Sequence, residues 1–317
     1  GALHASPHAP MRRIARTVAL PLVGLLTLGA ATGTAHAQFV AYGLRPAPGA
    51  GGGQQLVRFD TANPSVVTVV GATTRAETIL ALDFRPATGQ LYGFNGSSIF
   101  TFDLSTGAAV PVAATSSTTD LFNVGFDFNP TVDRIRIVDS SNRNLRVNPT
   151  DGTAIVDGPY VYAPGDSLAG SAPRLSAVAY TNNVAGATTT TLFGLDRTRG
   201  TLVRITSPNG GAVSTVGSLG LGFLPGELDF DIVTVGGTNV GFFTASILTG
   251  GPSALYRVNL DTGAATLVGN VGTGGLRGLA IGLDTTVVPE PATWALTGLG
   301  LVALAGVGRR RARRASA

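Results

Sequence analysis

Residues 79–112 read ILALDFRPATGQLYGFNGSSIFTFDLSTGAAVPV and hold four short apolar runs, at 80–84, 91–94, 99–104 and 108–112. Between the runs stand Arg85-Pro86-Ala87-Thr88-Gly89, Asn95-Gly96-Ser97-Ser98 and Ser105-Thr106-Gly107, all turn-forming chemistry. Short runs rich in β-branched and aromatic side chains predict strands, so the stretch predicts a four-stranded antiparallel meander. A single sheet of this kind cannot bury both faces, and its meaning depends on whether it recurs.

It does recur. The inner-strand triplet Leu82-Asp83-Phe84 aligns with Phe126-Asp127-Phe128, Val178-Ala179-Tyr180, Leu228-Asp229-Phe230 and Leu279-Ala280-Ile281, at spacings of 44, 52, 50 and 51 residues. The third strand and its turn, Phe102-Asp103-Leu104-Ser105-Thr106-Gly107, recur as Val147-Asn148-Pro149-Thr150-Asp151-Gly152. Later copies are Ile205-Thr206-Ser207-Pro208-Asn209-Gly210 and Val258-Asn259-Leu260-Asp261-Thr262-Gly263. In each, a polar side chain caps the turn and the glycine takes the left-handed position. Four-stranded repeats of about 40–50 residues predict a β-propeller.

The ends of the array predict how it closes. The last copy, 276–284, has an inner strand and nothing after it, whereas the first segment, 39–71, has three strands (39–43, 55–60 and 66–70) and no inner one. Joined, they complete a fifth blade. The expectation is an all-β, five-bladed propeller over residues 38–287, closed by pairing the C-terminal strand with the N-terminal blade. Closure removes the exposed edges of an open array.

The sequence pI of 9.9 gives a false impression of the domain. Arg12, Arg13, Arg16, Arg309, Arg310, Arg311, Arg313 and Arg314 all lie in terminal segments, and residues 38–288 carry 14 Arg against 17 Asp plus Glu. Nucleic acid is therefore not an expected partner, because binding it needs a basic face on the domain itself. The three histidines, His4, His8 and His36, fall outside the expected mature domain, and the chain has no cysteine. That rules out Ser-His-Asp and Cys-His sites and the usual zinc sets.

Residues 1–10 precede the single methionine, Met11, and read as an upstream extension. Residues 11–37 have the pattern of a secretory signal: three arginines, an apolar run at 18–31, then Ala35-His36-Ala37, predicting cleavage by signal peptidase after Ala37. Within the domain, 47–53 reads as a flexible loop. Residues 161–173 form a longer loop between blades three and four, either functional or a plain bridge.

At the other end, Val288-Pro289-Glu290-Pro291-Ala292-Thr293-Trp294 leads into an apolar run at 295–308 and then five arginines among residues 309–314. Residues 288–317 resemble a PEP-CTERM sorting signal, with a Pro289-Glu290-Pro291 motif, one short hydrophobic helix and a terminal Arg cluster. The run is short for a permanent span, about 21 Å of helix, and the arginines predict a cytoplasmic tail. The resemblance implies transient inner-membrane anchoring and processing by an exosortase, in a Gram-negative bacterium that makes extracellular polysaccharide. The mature protein is then expected at the cell surface or in the extracellular matrix. The blades in turn resemble a secreted bacterial domain family of unknown function, through Gly125-Phe126-Asp127-Phe128-Asn129-Pro130, Asp133-Arg134-Ile135-Arg136-Ile137-Val138 and Asn142-Arg143-Asn144-Leu145-Arg146-Val147-Asn148. That resemblance implies a fold and no activity.

Two groups of residues carry potential chemistry. Asp83, Asp127 and Asp229 align on three inner strands, which line a propeller's channel, with Glu227 and Asp231 near the third. Paired carboxyls about 5–10 Å apart there would do acid–base work on a glycosidic bond; alternatively, each aspartate accepts N–H bonds within its own blade. Blade three carries Arg134, Arg136, Arg143 and Arg146, interleaved with Asp133 and Asp139. Guanidinium groups bind carboxylates bidentately, so the four predict either a surface for an acidic polysaccharide or an acidic protein, or Arg–Asp pairs that hold the blade to its neighbour. No cofactor is expected; calcium bound by aspartate and main-chain oxygens stays open as an alternative, though no EF-hand-like spacing supports it. The favoured reading is a non-catalytic surface or matrix protein; the alternative is a carboxylate-based glycoside hydrolase, and a third, weaker one is a calcium-dependent adhesive module.

Overall fold

The computed structural model describes residues 1, 39–48, 53–74, 78–119, 123–246 and 251–283. The expected signal at 11–37 with Ala37, the tail with Pro289, Glu290 and Pro291, and most of the 47–53 loop lie outside the described residues.

Among the described residues, twenty-one strands form five sheets. Blade one begins with β1 (Phe39–Pro46), β2 (Gln54–Asp60) and β3 (Asn63–Ala72). Blade two is β4 (Ala81–Phe84), β5 (Leu91–Phe94), β6 (Ser98–Phe102) and β7 (Ala109–Ala114). Blade three is β8 (Val124–Asn129), β9 (Arg134–Asp139), β10 (Asn144–Val147) and β11 (Ala154–Val156). Blade four takes β12 (Val161–Tyr162), β13 (Leu175–Tyr180), β14 (Leu192–Asp196), β15 (Thr201–Ser207) and β16 (Ala212–Ser218). Blade five is β17 (Leu228–Val235), β18 (Thr238–Ala245), β19 (Ala254–Val258) and β20 (Ala265–Asn270). The last strand, β21 (Arg277–Leu283), returns to blade one and pairs antiparallel with β1, with Ala41 opposite Ile281. The ring closes as the sequence predicts.

The apolar core is divided among the joints between blades. Five hydrophobic clusters each draw residues from two neighbouring blades. Phe94, Phe126 and Phe128 join blades two and three, and Leu228, Phe230 and Ala179 join four and five. Ala41 and Ile281 meet Val233 and Phe242 where blade one meets blade five. In four blades the pairing of the outer two strands shifts register midway, at Leu56/Val57, Ile99/Phe100, Leu202/Val203 and Leu255/Tyr256. Such bulges increase the local twist that a propeller blade needs.

The recurring turn seals the outer edges. Gly107, Gly152, Gly211 and Gly263 have φ between 73° and 79°, and each N–H donates back to Asp103, Asn148, Ser207 or Asn259. A Cβ on any of the four would run into backbone of the preceding blade, for example 2.6 Å from Gly217 at position 263. In blade four the left-handed residue is Gly211, one position beyond the Gly210 of the sequence alignment. The 161–173 segment also differs from a plain loop. Val161 and Tyr162 add a short parallel strand to the outer edge of blade four, opposite Ala212 and Val213, and the Tyr162 hydroxyl donates to Asp196.

Candidate functional sites at the axis and between blades three and four

The inner strands bring three aspartates together. Asp83 on β4, Asp127 on β8 and Asp231 on β17 are each about 1% exposed, and each offers a carboxylate oxygen within 4.8 Å of the others. Each also accepts a main-chain N–H from the next blade round the ring. The Phe128 N–H donates to Asp83 Oδ2 at 2.7 Å, the Tyr180 N–H to Asp127 Oδ1 at 3.0 Å and the Ile281 N–H to Asp231 Oδ2 at 2.5 Å. Each aspartate thus ties its own blade to the next. Their other oxygens, Asp83 Oδ1, Asp127 Oδ2 and Asp231 Oδ1, are buried with no hydrogen-bond partner. Burial, and then mutual repulsion, holds Asp83 and Asp127 well above the usual carboxylate range, and burial pushes Asp231 up to about 7.

The hydrogen-bond pattern fixes which positions are equivalent. Phe128, Tyr180 and Ile281 directly follow Asp127, Ala179 and Ala280, so the repeating inner position is Asp83, Asp127, Ala179, Asp231 and Ala280. Asp229, two residues earlier, belongs to a different layer. Its carboxyl is raised to about 8 by burial and by the charge of Glu227, and Thr244 Oγ1 lies 3.5 Å away. Glu227 in turn is paired with Arg277. The sequence-predicted trio is therefore split: Asp83 and Asp127 meet, and Asp231 takes the third place.

The arginines of blade three separate in the same way. Arg136, 2% exposed, donates to Asn144 and Asp157 of its own blade at 2.6 and 2.7 Å, and to Asn209 of blade four at 2.8 Å. Arg146 forks onto both oxygens of the same Asp157 at 2.7 and 2.9 Å. Arg134 is exposed and, among the described residues, its one hydrogen bond is to the carbonyl of Asp133, at 2.9 Å. These three line one cleft of about 570 Å³ between blades three and four, with Asn129, Tyr180, Thr206, Ser207 and Asn209. Arg143 lies elsewhere. It reaches back to Ser117 Oγ and the Thr118 carbonyl, after blade two.

Asp157 holds two of the cleft's arginines, Tyr180 and Asn209 line it, and none of the three was a candidate site residue in the sequence. They sit in a connecting segment, on the neighbouring blade's inner strand and in its outer turn, and only the closed ring brings them to blade three.

Comparison with known proteins locates the chain without assigning it an activity. No curated protein matches it. Among solved structures it is similar to a protein of unknown function from Bacteroides thetaiotaomicron, 12% identical, covering 76% of this chain and 56% of that one with a TM-score of 0.45. A putative phosphatase from the same organism is 10% identical, over 78% and 57% of the two chains, with a TM-score of 0.42. An auxiliary nutrient binding protein, again from that organism, is 15% identical over 61% and 53%, with a TM-score of 0.37. The chain thus spans little more than half the length of each of these three. Residues 287–314 match the PEP-CTERM protein-sorting motif, which implies an exosortase-sorted protein of the cell envelope or surface. Residues 55–280, which take in nearly the whole ring, match a domain of unknown function, DUF4394, and the chain belongs to that family.

Proposed function

We propose that this protein is a non-catalytic component of the cell surface or extracellular matrix that holds acidic polysaccharide in the cleft between blades three and four. The observation that carries this reading is the convergence of Arg134, Arg136 and Arg146 on one polar cleft of about 570 Å³. That size falls within the range of about 300–1,000 Å³ usual for small-ligand sites. Arg136 is held by four polar neighbours, so the cleft is organised before a ligand arrives. Arg134 keeps most of its donors free for a carboxylate. Asn129, Thr206, Ser207 and Asn209 supply the amides and hydroxyls that recognise sugar hydroxyls. Three guanidinium groups line the cleft, and Asp157 pairs with two of them, Arg136 and Arg146, on a domain whose sequence is net acidic.

Hydrolysis in the channel has less support. The cavity beside Asp229 on the inner strands is about 10 Å³. That is room for about one water molecule, and Asp83 and Asp127 are closed off from solvent.

The test is retention of the full chain, purified in mild detergent, on immobilised uronic-acid-rich polysaccharide. Arg134→Glu is expected to abolish retention, and Arg143→Glu, outside the cleft, to leave it intact. Salt is expected to weaken the wild-type interaction, because exposed charges are screened within about 8–10 Å. Retention that survives Arg134→Glu contradicts the reading.

A further inference from the structure

The aspartate cluster on the axis is separate from the cleft and calls for its own explanation. A buried carboxyl group is neutralised by a proton, paired with a cation or bound to a metal. Among the described residues none of Asp83, Asp127 and Asp231 forms an ion pair, and each keeps one buried oxygen without a hydrogen-bond partner. We propose that Asp83, Asp127 and Asp231 bind one hard divalent cation, calcium in the first instance, on the axis of the ring.

The geometry supports this at three points. First, the three carboxylate oxygens lie within 4.8 Å of one another. Three oxygens evenly spaced about one centre at a calcium–oxygen distance of roughly 2.3–2.6 Å stand about 4.0–4.5 Å apart, so one ion contacts all three after a small closing of the carboxylates. Second, each carboxylate is anchored through one oxygen by a main-chain N–H of the next blade, which fixes its direction and leaves the second oxygen unbonded. Third, the equivalent places in blades four and one are Ala179 and Ala280. Their small side chains leave two sides of the ring for water or main-chain carbonyls to complete the shell. Oxygen-only donors with no nitrogen or sulfur select a hard cation over zinc or copper. Magnesium is the weaker candidate, because it demands near-octahedral geometry and gives up its waters reluctantly.

Such an ion would tie blades two, three and five together at the one point where all five blades converge. Its role is structural and does not depend on the cleft binding polysaccharide.

The full chain, stripped with chelator and dialysed, is equilibrated separately with calcium and with magnesium; bound metal is measured by plasma mass spectrometry and the unfolding midpoint by calorimetry. At about 5 mM calcium, above the range of roughly 0.1–1 mM typical of extracellular calcium modules, the wild type is expected to hold one ion per chain. Its midpoint is expected to rise by about 3–6 °C. Asp127→Asn and Asp231→Asn, which keep an acceptor oxygen for the main-chain N–H, are expected to lose both the ion and the shift. Asp229→Asn is expected to keep both. A wild type that takes up neither calcium nor magnesium overturns the site, as does loss of binding in Asp229→Asn with retention in Asp231→Asn. If the asparagine variants do not fold, the wild-type stoichiometry decides alone.

Discussion

Arg134 and Arg136 stand two positions apart on one strand, yet one is exposed and the other is 2% accessible with four polar neighbours. Strand alternation places both on the same side, which is all the sequence can say. Their different roles come from blade four, whose Tyr180 and Asn209 close over Arg136 and stop short of Arg134. A related contact binds blade two to blade three. Arg85 donates to both oxygens of Asp133, at 2.8 and 2.5 Å, and holds that carboxyl below its usual range. A depressed folded-state pKa contributes stability above the unfolded value near 3.9 and loses it as pH falls through the folded value. Asp133 has φ 51°, a conformation asparagine tolerates, so Asp133→Asn removes the charge with little backbone cost. Both side chains are partly exposed, so the expected loss is modest, about 0.5–1 kcal/mol at pH 7. Urea titrations of wild type and variant at several pH values are expected to show that gap closing as the pH falls beneath the unfolded carboxylate value near 3.9. A gap that does not change with pH contradicts the assignment.

At the level of elements, the strands and their turns were legible because they repeat, and the register across strands was not. Leu228-Asp229-Phe230 matches Leu82-Asp83-Phe84 better by letter than Phe230-Asp231-Ile232 does. Pairing across the blade gives the other answer. Asp83 faces Tyr92 and Asp127 faces Arg136; the same place on β17 is Asp231, opposite Phe242. β17 and β18 are eight residues each, against four in β4 and β5, so the inner strand of blade five enters earlier and the letter match falls two residues out of step. The turn glycines were better markers, because their backbone conformation is required wherever the outer edge of one blade meets the next. Gly263→Ala is expected to destabilise the protein by about 2 kcal/mol or more, from a strained φ together with a clash against Gly217. Gly89→Ala, also at positive φ but with open space around it, is expected to cost only about 1 kcal/mol. Equal losses in chemical denaturation would mean that the turn does not pack between blades.

For the whole molecule, closure turns repetition into a site. Equivalent positions on an open array lie far apart; on a ring they meet at the axis, which is how Asp83, Asp127 and Asp231 converge. The sequence made the closure legible through its unmatched ends, and β21 supplies the strand that β1 lacks. Removing residues 277–283 is expected to expose the β1 edge and open the joint between blades one and five, where Ile281 and Leu279 pack on Val233 and Phe242. Thermal unfolding of that deletion is expected to show a markedly lower midpoint and a broader transition. An unchanged midpoint would mean that closure contributes little. The central claim, binding without turnover, is tested most directly by incubating the full chain with acidic host polysaccharide and measuring bound protein and released reducing ends in the same sample. The account predicts bound protein, lost on Arg134→Glu, and no reducing ends above background. Released sugar that disappears with Asp83→Asn or Asp127→Asn would contradict it.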